Sequence, residues 1–434
     1  MARRERRDGW FLQRGYPHLD RPLHFNAADA LVKDQQRIGK LAFFPFLGYI
    51  DRKRKFGSDN TLSLIPKRDR PKIIKIKNRD LKYASHRDAY IYSYYAKVLS
   101  VSYEDYLRSN GLDGCVVGYR SGLGSNIDIA ATAFAEIEAR GTCTALCFDI
   151  KDFFPSIPHK ILKFNLSTVL GCGLLSKDWY NVFRSMTRFS WIDIDQLFFW
   201  CLIDPREAPN PICNDPASLL EDLRRAGMIR RNPKSDRGIP QGAPISAIFA
   251  NVAMLEFDRA MQTWAVQNGA TYMRYSDDIL VICDTSLRTA AESEVEKNMT
   301  AQGGCLDISP DKTERCAFDK SGGTLTSDCP LTYLGFTFDG QTVRLRDRTL
   351  SRYYRRMTYA TRGTNRRALA AFKAGIGPAA PYRRKLYQDF SHLGSSNFYT
   401  YAKRAHNKFE FSLIKRQLRR HFRILLRKLN NHGR

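Results

Sequence analysis

The sequence has no long apolar run and no closely paired cysteines. The longest uncharged stretch near its middle, Gly238 to Leu255, contains Pro240, Gln241, Pro244 and Asn251, which argues against a membrane span. No apolar stretch follows the basic start, MARRERR, so we predict no signal peptide. Ten cysteines occur without a CxxC pair, and we therefore expect a reducing cytoplasm and no zinc site.

Acidic residues are scarce relative to basic ones. The 434 residues include 70 Lys and Arg against 44 Asp and Glu, a net charge of +26, and so basic a chain usually binds a polyanion. Nucleic acid is the first candidate, and a membrane surface is the rival. Residues 343–434 carry 24 Lys and Arg against three acids, a balance of +21. This C-terminal segment is therefore a separate electrostatic unit.

The end of that segment, Phe409 to Leu429, has apolar residues three and four apart, a spacing that predicts one amphipathic helix. Its opposite face carries Lys415, Arg416, Arg419, Arg420, Arg423 and Arg427. A solvated face on a surface helix is the plain interpretation. The +21 balance favours a phosphate-binding face, with Arg416, Arg419, Arg420 and Arg423 as its nucleic-acid-binding residues.

Acidic residues stand where strand-like runs end. The apolar run Gly141 to Phe148 ends at Asp149, and two further runs flank Ser276-Asp277-Asp278 in a hairpin pattern. A short strand is also predicted over Leu331 to Phe338. Either acidic motif alone is explained by a capping or turn role. Together they suit phosphoryl transfer, which needs two hard cations about 4 Å apart held by oxygen ligands such as carboxylates.

Seven segments resemble, in order, the motifs of bacterial reverse transcriptases related to retron and group II intron enzymes. The segments are IPKRDRPKII (65–74), VGYRSG (117–122), FDIKDFFPSI (148–157), GIPQGAPIS (238–246), YSDD (275–278), DISPDK (307–312) and YLGF (333–336). The resemblance covers about two-thirds of the chain, from residue 60 to residue 340. It implies an α+β right-hand polymerase fold with fingers, palm and a helical thumb.

The same resemblance assigns roles to single residues. Asp149, Asp277 and Asp278 are implied as catalytic, and together with Ile150 they are implied to bind two Mg²⁺ ions, with Mn²⁺ as a substitute. Lys67, Lys72, Phe154, Gln241 and Lys312 are implied to bind the nucleotide, and Tyr333, Leu334 and Gly335 to form the primer grip. Phe154 corresponds to the steric gate that leaves no room for a 2′-hydroxyl. Many relatives carry arginine at the position of Lys72. A lysine there cannot make the bidentate phosphate contact that arginine makes.

We predict five parts for the chain. Residues 1–50 form an N-terminal extension, 51–140 the fingers, 141–160 and 236–340 the palm, 161–235 an insertion, and 341–434 the basic helical thumb. The N-terminal aromatics are either an extra contact surface for RNA or part of the core.

Departures from the retron pattern point to a subclass. The chain lacks the NAxxH signature and the VTG triplet, and it resembles stand-alone antiviral reverse transcriptases of the "unknown group", whose second defence class its RGYPHLD segment (14–20) suggests. Such enzymes copy a structured non-coding RNA into DNA from deoxynucleoside triphosphates during phage infection. We expect that RNA and the cDNA product as partners, and no membrane.

Three alternatives stay open. One is a template-independent, protein-primed polymerase of the abortive-infection type, since tyrosine and serine hydroxyls are abundant. Another is a non-catalytic RNA-binding protein on the same fold, against which the intact aspartates argue. A group II maturase is the third, but the tail offers no clear room for a nuclease module.

Overall fold

The structure is a computed structural model that describes residues 8–58, 71–378 and 380–430. Lys67 lies outside these residues, and so do the side chains of 55–58, 72, 73 and 75. Helices and strands alternate through most of the chain, which confirms the predicted α+β class. Within the described ranges no helix is both long and apolar enough to cross a bilayer.

The N-terminal part combines helices with a long β-hairpin. Its elements are α1 (Phe25–Lys33), α2 (Gln35–Lys40), β1 (Phe46–Ser58), β2 (Lys72–Tyr83), α3 (His86–Ser109) and α4 (Asn126–Arg140). β1 and β2 pair antiparallel from Leu47 opposite Tyr83 to Ser58 opposite Lys72. Ser125 begins α4 with a capping box, because its hydroxyl and the Asp128 carboxylate each accept a backbone N–H of the other's residue.

The RGYPHLD segment (14–20) fastens the N-terminus to α3. The Asp20 carboxylate accepts hydrogen bonds from the backbone N–H groups of His86, at 2.8 Å, and Arg87, at 2.7 Å, so it satisfies two donors at the helix start. Trp10 is 2% exposed and packs edge-on against Phe11, with ring centroids 5.7 Å apart. Trp10 is part of the core, and Phe11, Phe25 and Phe43 pack against it while partly buried, which supports the core interpretation for these four aromatics.

The middle of the chain alternates helices with short strands. Its elements are β3 (Cys143–Lys151), α5 (Phe153–Ser156), α6 (His159–Val169), α7 (Lys177–Thr187), β4 (Ser190–Asp193), α8 (Ile194–Trp200), α9 (Pro216–Arg225), β5 (Arg230–Arg231), α10 (Ser246–Ala253) and α11 (Leu255–Gln267). A sheet in the order β2-β1-β4-β5 joins the long hairpin to residues 190–231. α10 begins at Ser246, the last residue of GIPQGAPIS, so the turn that contains both prolines leads directly into a helix.

The central sheet follows. Its further strands and helices are β6 (Thr271–Tyr275), β7 (Asp278–Cys283), a 3₁₀ turn (Thr285–Leu287), α12 (Arg288–Thr300), β8 (Asp307–Ile308), a 3₁₀ turn (Pro310–Lys312), β9 (Glu314–Asp319) and β10 (Thr326–Ser327). The strands lie in the order β10-β9-β3-β7-β6, with β8 beside the end of β3. β3 is central and apolar, as a strand covered on both faces should be. The predicted hairpin around Asp277 is confirmed.

A small three-stranded sheet corrects one prediction. The segment predicted as one strand, Leu331 to Phe338, folds into β11 (Leu331–Tyr333) and β12 (Phe336–Phe338), followed by β13 (Val343–Leu345). Leu334 and Gly335 make the turn with φ of +46° and +95°. Gly335 adopts this conformation at no steric cost. The turn therefore forms inside a segment whose apolar pattern alone predicts one continuous strand.

The C-terminal part is helical and corrects a second prediction. Its helices are α13 (Asp347–Lys373), α14 (Arg384–Phe390), α15 (Phe398–Lys408), α16 (Ile414–Leu418) and α17 (His421–Asn430). The single helix predicted from Phe409 to Leu429 is wrong. Val343 accepts from the backbone N–H of Leu413 at 3.0 Å and donates to the carbonyl of Phe411 at 3.1 Å. This pairing with β13 holds residues 411–413 out of any helix.

Candidate active site

Asp149 and Asp278 meet across two neighbouring strands. β3 and β7 pair antiparallel, and their register places Asp149 directly opposite Asp278. Residues opposite each other in an antiparallel pair point to the same face of the sheet with their Cβ atoms about 5 Å apart. The two predicted motifs are far apart in sequence, and the sheet brings them together where β3 ends and β7 begins.

The third aspartate, Asp277, lies in the turn between β6 and β7. Ser276 precedes it with a φ of +60°, a left-handed conformation that is uncommon for a residue other than glycine. The backbone N–H of Ile150 donates to the carbonyl of Asp277 at 3.0 Å. The turn is thus bonded to the end of β3, beside Asp149.

A buried ion pair supports this turn. Arg274 and Asp258 both have fully buried side chains, and the guanidinium of Arg274 contacts both Asp258 oxygens, at 2.7 and 2.6 Å. The same guanidinium donates to the backbone carbonyl of Ser276 at 3.0 Å. Because a buried pair costs much of its attraction in desolvation, its clearest contribution here is to hold the Ser276 carbonyl in place.

A close backbone approach closes the other side of the turn. A Cβ atom at Gly118 would lie 2.6 Å from the backbone nitrogen of Ser276 and 2.8 Å from the Cα of Tyr275, closer than real Cβ contacts. Both Val117 and Gly118 donate backbone N–H groups to the carbonyl of Arg274. Only glycine fits at position 118, so the VGYRSG and YSDD segments form one unit.

Burial and neighbouring carboxylates raise the pKa values of Asp277 and Asp278. Burial first, and then the charges of Asp277 and Asp149, raise the pKa of Asp278 to about 7. Burial also raises the pKa of Asp277, and Asp149 adds to that effect. Lys312 contacts the Asp149 carboxylate, and the Ser309 hydroxyl donates to it at 3.3 Å. The site concentrates negative charge that a nearby cation would stabilise.

The donor set fits a hard divalent cation. All three side chains offer carboxylate oxygens, which Mg²⁺ and Mn²⁺ prefer, and Ile150 can contribute only its backbone carbonyl. In the described part of the chain, no three His, Cys, Asp or Glu side chains converge into a ready metal site.

A cleft of about 510 Å³ opens on Asp149 and Asp278. The predicted primer-grip residues Tyr333, Leu334 and Gly335 line it together with Lys312. Asn126 donates to the Leu334 carbonyl at 3.0 Å and contacts the Tyr401 hydroxyl at the same distance, which links the β11–β12 turn to α4 and α15.

Phe154 and Gln241 are not among the residues that line that cleft. Phe154 is 9% exposed and packs edge-on against Phe153, with ring centroids 5.6 Å apart. Its carbonyl accepts from the backbone N–H of Ile239 at 3.0 Å. The Gln241 carbonyl accepts from the backbone N–H of Lys82 at 2.9 Å. The GIPQGAPIS turn therefore contacts both Phe154 and β2. Lys72 is the first residue of β2.

The predicted basic face does not lie on one helix: Arg416 lies in α16 and Arg423 in α17, whereas Arg419 and Arg420 lie in the turn between them. Arg416, Arg419, Arg420 and Arg423 are all exposed. Arg416 and Arg419 border a second cleft, between α15 and α16.

Sequence reasoning missed the groups that hold the site together, namely Asp258, Arg274 and Gly118. The TYMRY run carries one usable signal, because an arginine within a buried apolar strand requires a partner. Its partner cannot be identified from the sequence, since several acids lie within reach of such a strand.

Two comparisons match part of the chain to reverse transcriptases. The family described as "Reverse transcriptase (RNA-dependent DNA polymerase)" matches residues 211–338. The retron Mx162 reverse transcriptase of Myxococcus xanthus is 29% identical over 140 residues, which are 32% of this chain and 22% of the relative. The match therefore spans about a fifth of that relative's length.

Solved structures with a partial likeness include telomerases. The apo enzyme of Candida tropicalis, truncated from its C-terminal domain, has a TM-score of 0.41 and 11% identity over 68% of this chain and 54% of that one. The Candida albicans enzyme, bound to a fragment of telomeric RNA, has a TM-score of 0.39 and 11% identity over 94% of this chain and 66% of that one.

Proposed function

We propose, from the premise that this chain carries a bacterial reverse transcriptase domain related to that of retrons, that it is an RNA-directed DNA polymerase. One observation carries the proposal. Asp149 and Asp278 lie opposite each other on β3 and β7, and the cleft they open on is bounded by the β11–β12 turn. Carboxylates on a rigid sheet beside a groove are what nucleotidyl transfer requires.

The chemistry divides among the chain's own groups. Asp149, Asp277 and Asp278 would hold two Mg²⁺ ions, or Mn²⁺ in their place, and bound ions would lower the pKa of a primer 3′-hydroxyl and neutralise charge on the leaving pyrophosphate. Lys312 stands at the same edge of the cleft, where its ammonium can pair with a triphosphate oxygen. Leu334 and Gly335 offer a sharp backbone turn against which a primer end can rest.

The sugar of the substrate is selected by shape. Phe154 lies five residues after Asp149, and its backbone bonds to the GIPQGAPIS turn. Phe153 packs against the ring, and the hydrogen bond from Ile239 fixes the backbone of Phe154. The ring can therefore act as a fixed wall under the incoming sugar. Deoxynucleoside triphosphates are the proposed substrates for that reason.

The template is proposed to be a structured non-coding RNA. The segment 343–434 carries +21 of the net charge, which provides more phosphate contacts than a transient substrate needs. A folded RNA held across the basic helices and copied into DNA would suit a role in anti-phage defence in the bacterial cytoplasm, as the resemblance to stand-alone defence enzymes suggests.

The test combines synthesis with sequencing. The protein is purified from its native host, its bound nucleic acid is sequenced, and DNA synthesis is measured with that RNA and with an unrelated primed RNA. We expect one dominant structured RNA and DNA complementary to it. Asp149→Asn and Asp277→Asn should abolish synthesis while nearly preserving RNA binding, because each removes a ligand charge and little volume.

The opposite outcomes are equally informative. Synthesis near the wild-type level in either variant would contradict the metal-binding assignment. A product with no complement among the bound RNAs would contradict templated copying and favour a template-independent, protein-primed polymerase. RNA binding without synthesis in the wild-type protein would favour a non-catalytic RNA-binding protein.

A further inference from the structure

A second cleft, of about 720 Å³, lies among the C-terminal helices between α15 and α16. Its apolar floor includes Ala402, Ile414 and Leu418, all of which are buried. One wall is a stacked pair of rings, Tyr399 and His421, with centroids 4.4 Å apart and an interplanar angle of 24°. Flat apolar walls of this kind suit a planar ring.

His421 is one of the residues that line this cleft, and one of its ring nitrogens has no hydrogen-bond partner among the residues described. The side chain is 6% exposed, and its Nδ1 lies 2.7 Å from the Leu418 carbonyl. A carbonyl only accepts, so Nδ1 carries the proton and donates it to that bond. Burial lowers the pKa of His421, and the ring is therefore neutral near pH 7, with a lone pair on Nε2.

That Nε2 atom is buried and has no hydrogen-bond partner among the residues described. An unsatisfied buried polar atom is costly and calls for an explanation. The Nδ1 atom of His406, which also lines the cleft, is in the same condition. A neutral Nε2 needs a donor, either N–H or O–H, and the phosphodiester groups of a nucleic acid offer none. The cleft therefore suits a ligand that carries a hydrogen-bond donor of its own, such as a base N–H or a hydroxyl.

The rim of the cleft is positively charged and would attract an anionic ligand. Lys403, Lys415, Arg416 and Arg419 border the cleft, and no acidic side chain is among its lining residues in the described part of the chain. A ligand that satisfies floor, wall and rim at once is planar and apolar, carries a donor, and is anionic. A nucleotide has all of these properties.

We infer that this cleft binds one unstacked nucleotide of a single-stranded RNA segment, with the base over the apolar floor and the adjoining phosphates on the rim. The donor to Nε2 of His421 is either a base N–H group or a ribose 2′-hydroxyl. The inference rests on the proposed function, since RNA is the partner proposed there. It adds a site that is separate from the cleft at Asp149.

The experiment measures binding without catalysis. Fluorescence anisotropy in EDTA compares a labelled 12-nucleotide single-stranded RNA with DNA of the same sequence. His421→Phe keeps a ring against Tyr399 and removes the acceptor. We expect RNA binding to weaken about fivefold, the value for one lost hydrogen bond. A loss confined to RNA identifies the ribose hydroxyl, and an equal loss for DNA identifies the base.

Exposed lysines provide a second test in case the histidine variant unfolds. Lys403→Gln removes a rim charge, and Lys385→Gln removes an exposed charge on α14, outside the cleft. The first variant should bind the RNA more weakly than the second. RNA binding within twofold of wild type for a folded His421→Phe protein overturns the inference, and so does equal binding by the two lysine variants. Primer extension by the same proteins reports separately on the proposed polymerase.

Discussion

Asp149 and Asp278 lie directly opposite each other on adjacent strands of the central sheet, near the end of β3 and at the start of β7. Like charges placed opposite each other destabilise an antiparallel pair. The fold accepts this cost at one point, where Asp277 adds a third carboxylate and burial raises the pKa of Asp278 to about 7. Strain of this kind is typical of a site that becomes stable only when cations bind.

The first prediction is that Asp278→Asn stabilises the metal-free protein. The substitution removes one of the opposed charges and keeps the side-chain volume, so the free energy of unfolding in urea should rise by about 1 kcal/mol in EDTA. Added Mg²⁺ should stabilise the wild-type protein and stabilise the variant less, because binding to the folded state raises stability by mass action.

Asp311→Asn is the matched control. Asp311 borders the same cleft but is exposed and faces no opposing acid on β3. It should leave both the unfolding free energy and its Mg²⁺ dependence unchanged. A lower stability of Asp278→Asn in EDTA would show that the opposed carboxylates do not repel in the folded protein.

The second prediction is that Phe154→Ala admits ribonucleotides. Removing the ring opens space under the incoming sugar, so the ratio of ribo- to deoxynucleotide incorporation should rise by about tenfold or more. The change also empties part of the core, and a loss of about 3 kcal/mol in stability is expected. Phe153→Ala is the control because Phe153 is as well buried, at 4% exposed. It should cost similar stability and leave the incorporation ratio unchanged. The same ratio in both variants would place the gate elsewhere.

The third prediction concerns the ion pair of Arg274 and Asp258, which supports the turn that carries Asp277. Arg274→Lys keeps a charge beside Asp258, but one ammonium cannot reproduce a fork that reaches both Asp258 oxygens and the Ser276 carbonyl. The turn that carries Asp277 should shift, and small misplacements at reacting groups cost about 10- to 100-fold in rate. We expect kcat for nucleotide addition to fall, with the KM for the nucleotide nearly unchanged.

Tyr272→Phe provides the comparison for this pair. The Tyr272 hydroxyl donates at 2.6 Å to Oδ1 of Asp258, which also accepts from Nε of Arg274. The hydroxyl makes no hydrogen bond to the turn in the part of the chain that the structure describes. This variant should lose stability but keep kcat. If the two variants lose kcat in proportion to their loss of stability, Arg274 is only a structural residue and does not position the turn.

The sequence predicts what neighbours in the chain determine. The hairpin around Asp277 can be predicted from the sequence because two apolar runs flank the acids. The predicted helix over 409–429 fails for the opposite reason, since its start is held by Val343, about seventy residues away. Likewise the pairing of Arg274 with Asp258 depends on how α11 packs on β6. Short-range patterns predict the catalytic strands, whereas distant contacts decide how they are held.

The last prediction concerns the basic face of the thumb. Replacing Arg416, Arg419, Arg420 and Arg423 with Gln should weaken binding to duplex and single-stranded ligands of most sequences alike. Each lost phosphate contact removes roughly 0.7 to 0.9 from the slope of log K against log salt, so the slope should fall by about 3 if all four arginines contact phosphates. The measurement is the binding constant over a salt series on at least two unrelated sequences.

A control with equal charge loss separates contact from net charge. Gln replaces four exposed cations outside both clefts, namely Lys40, Lys163, Lys177 and Arg224. Counterion release depends on cations placed near phosphates, whereas the general field of a basic protein is screened beyond about 10 Å at 0.1 M salt. The control should therefore keep a slope close to wild type. Equal slopes in the two quadruple variants, or a changed sequence preference with an unchanged slope, would mean that these arginines do not bind the backbone.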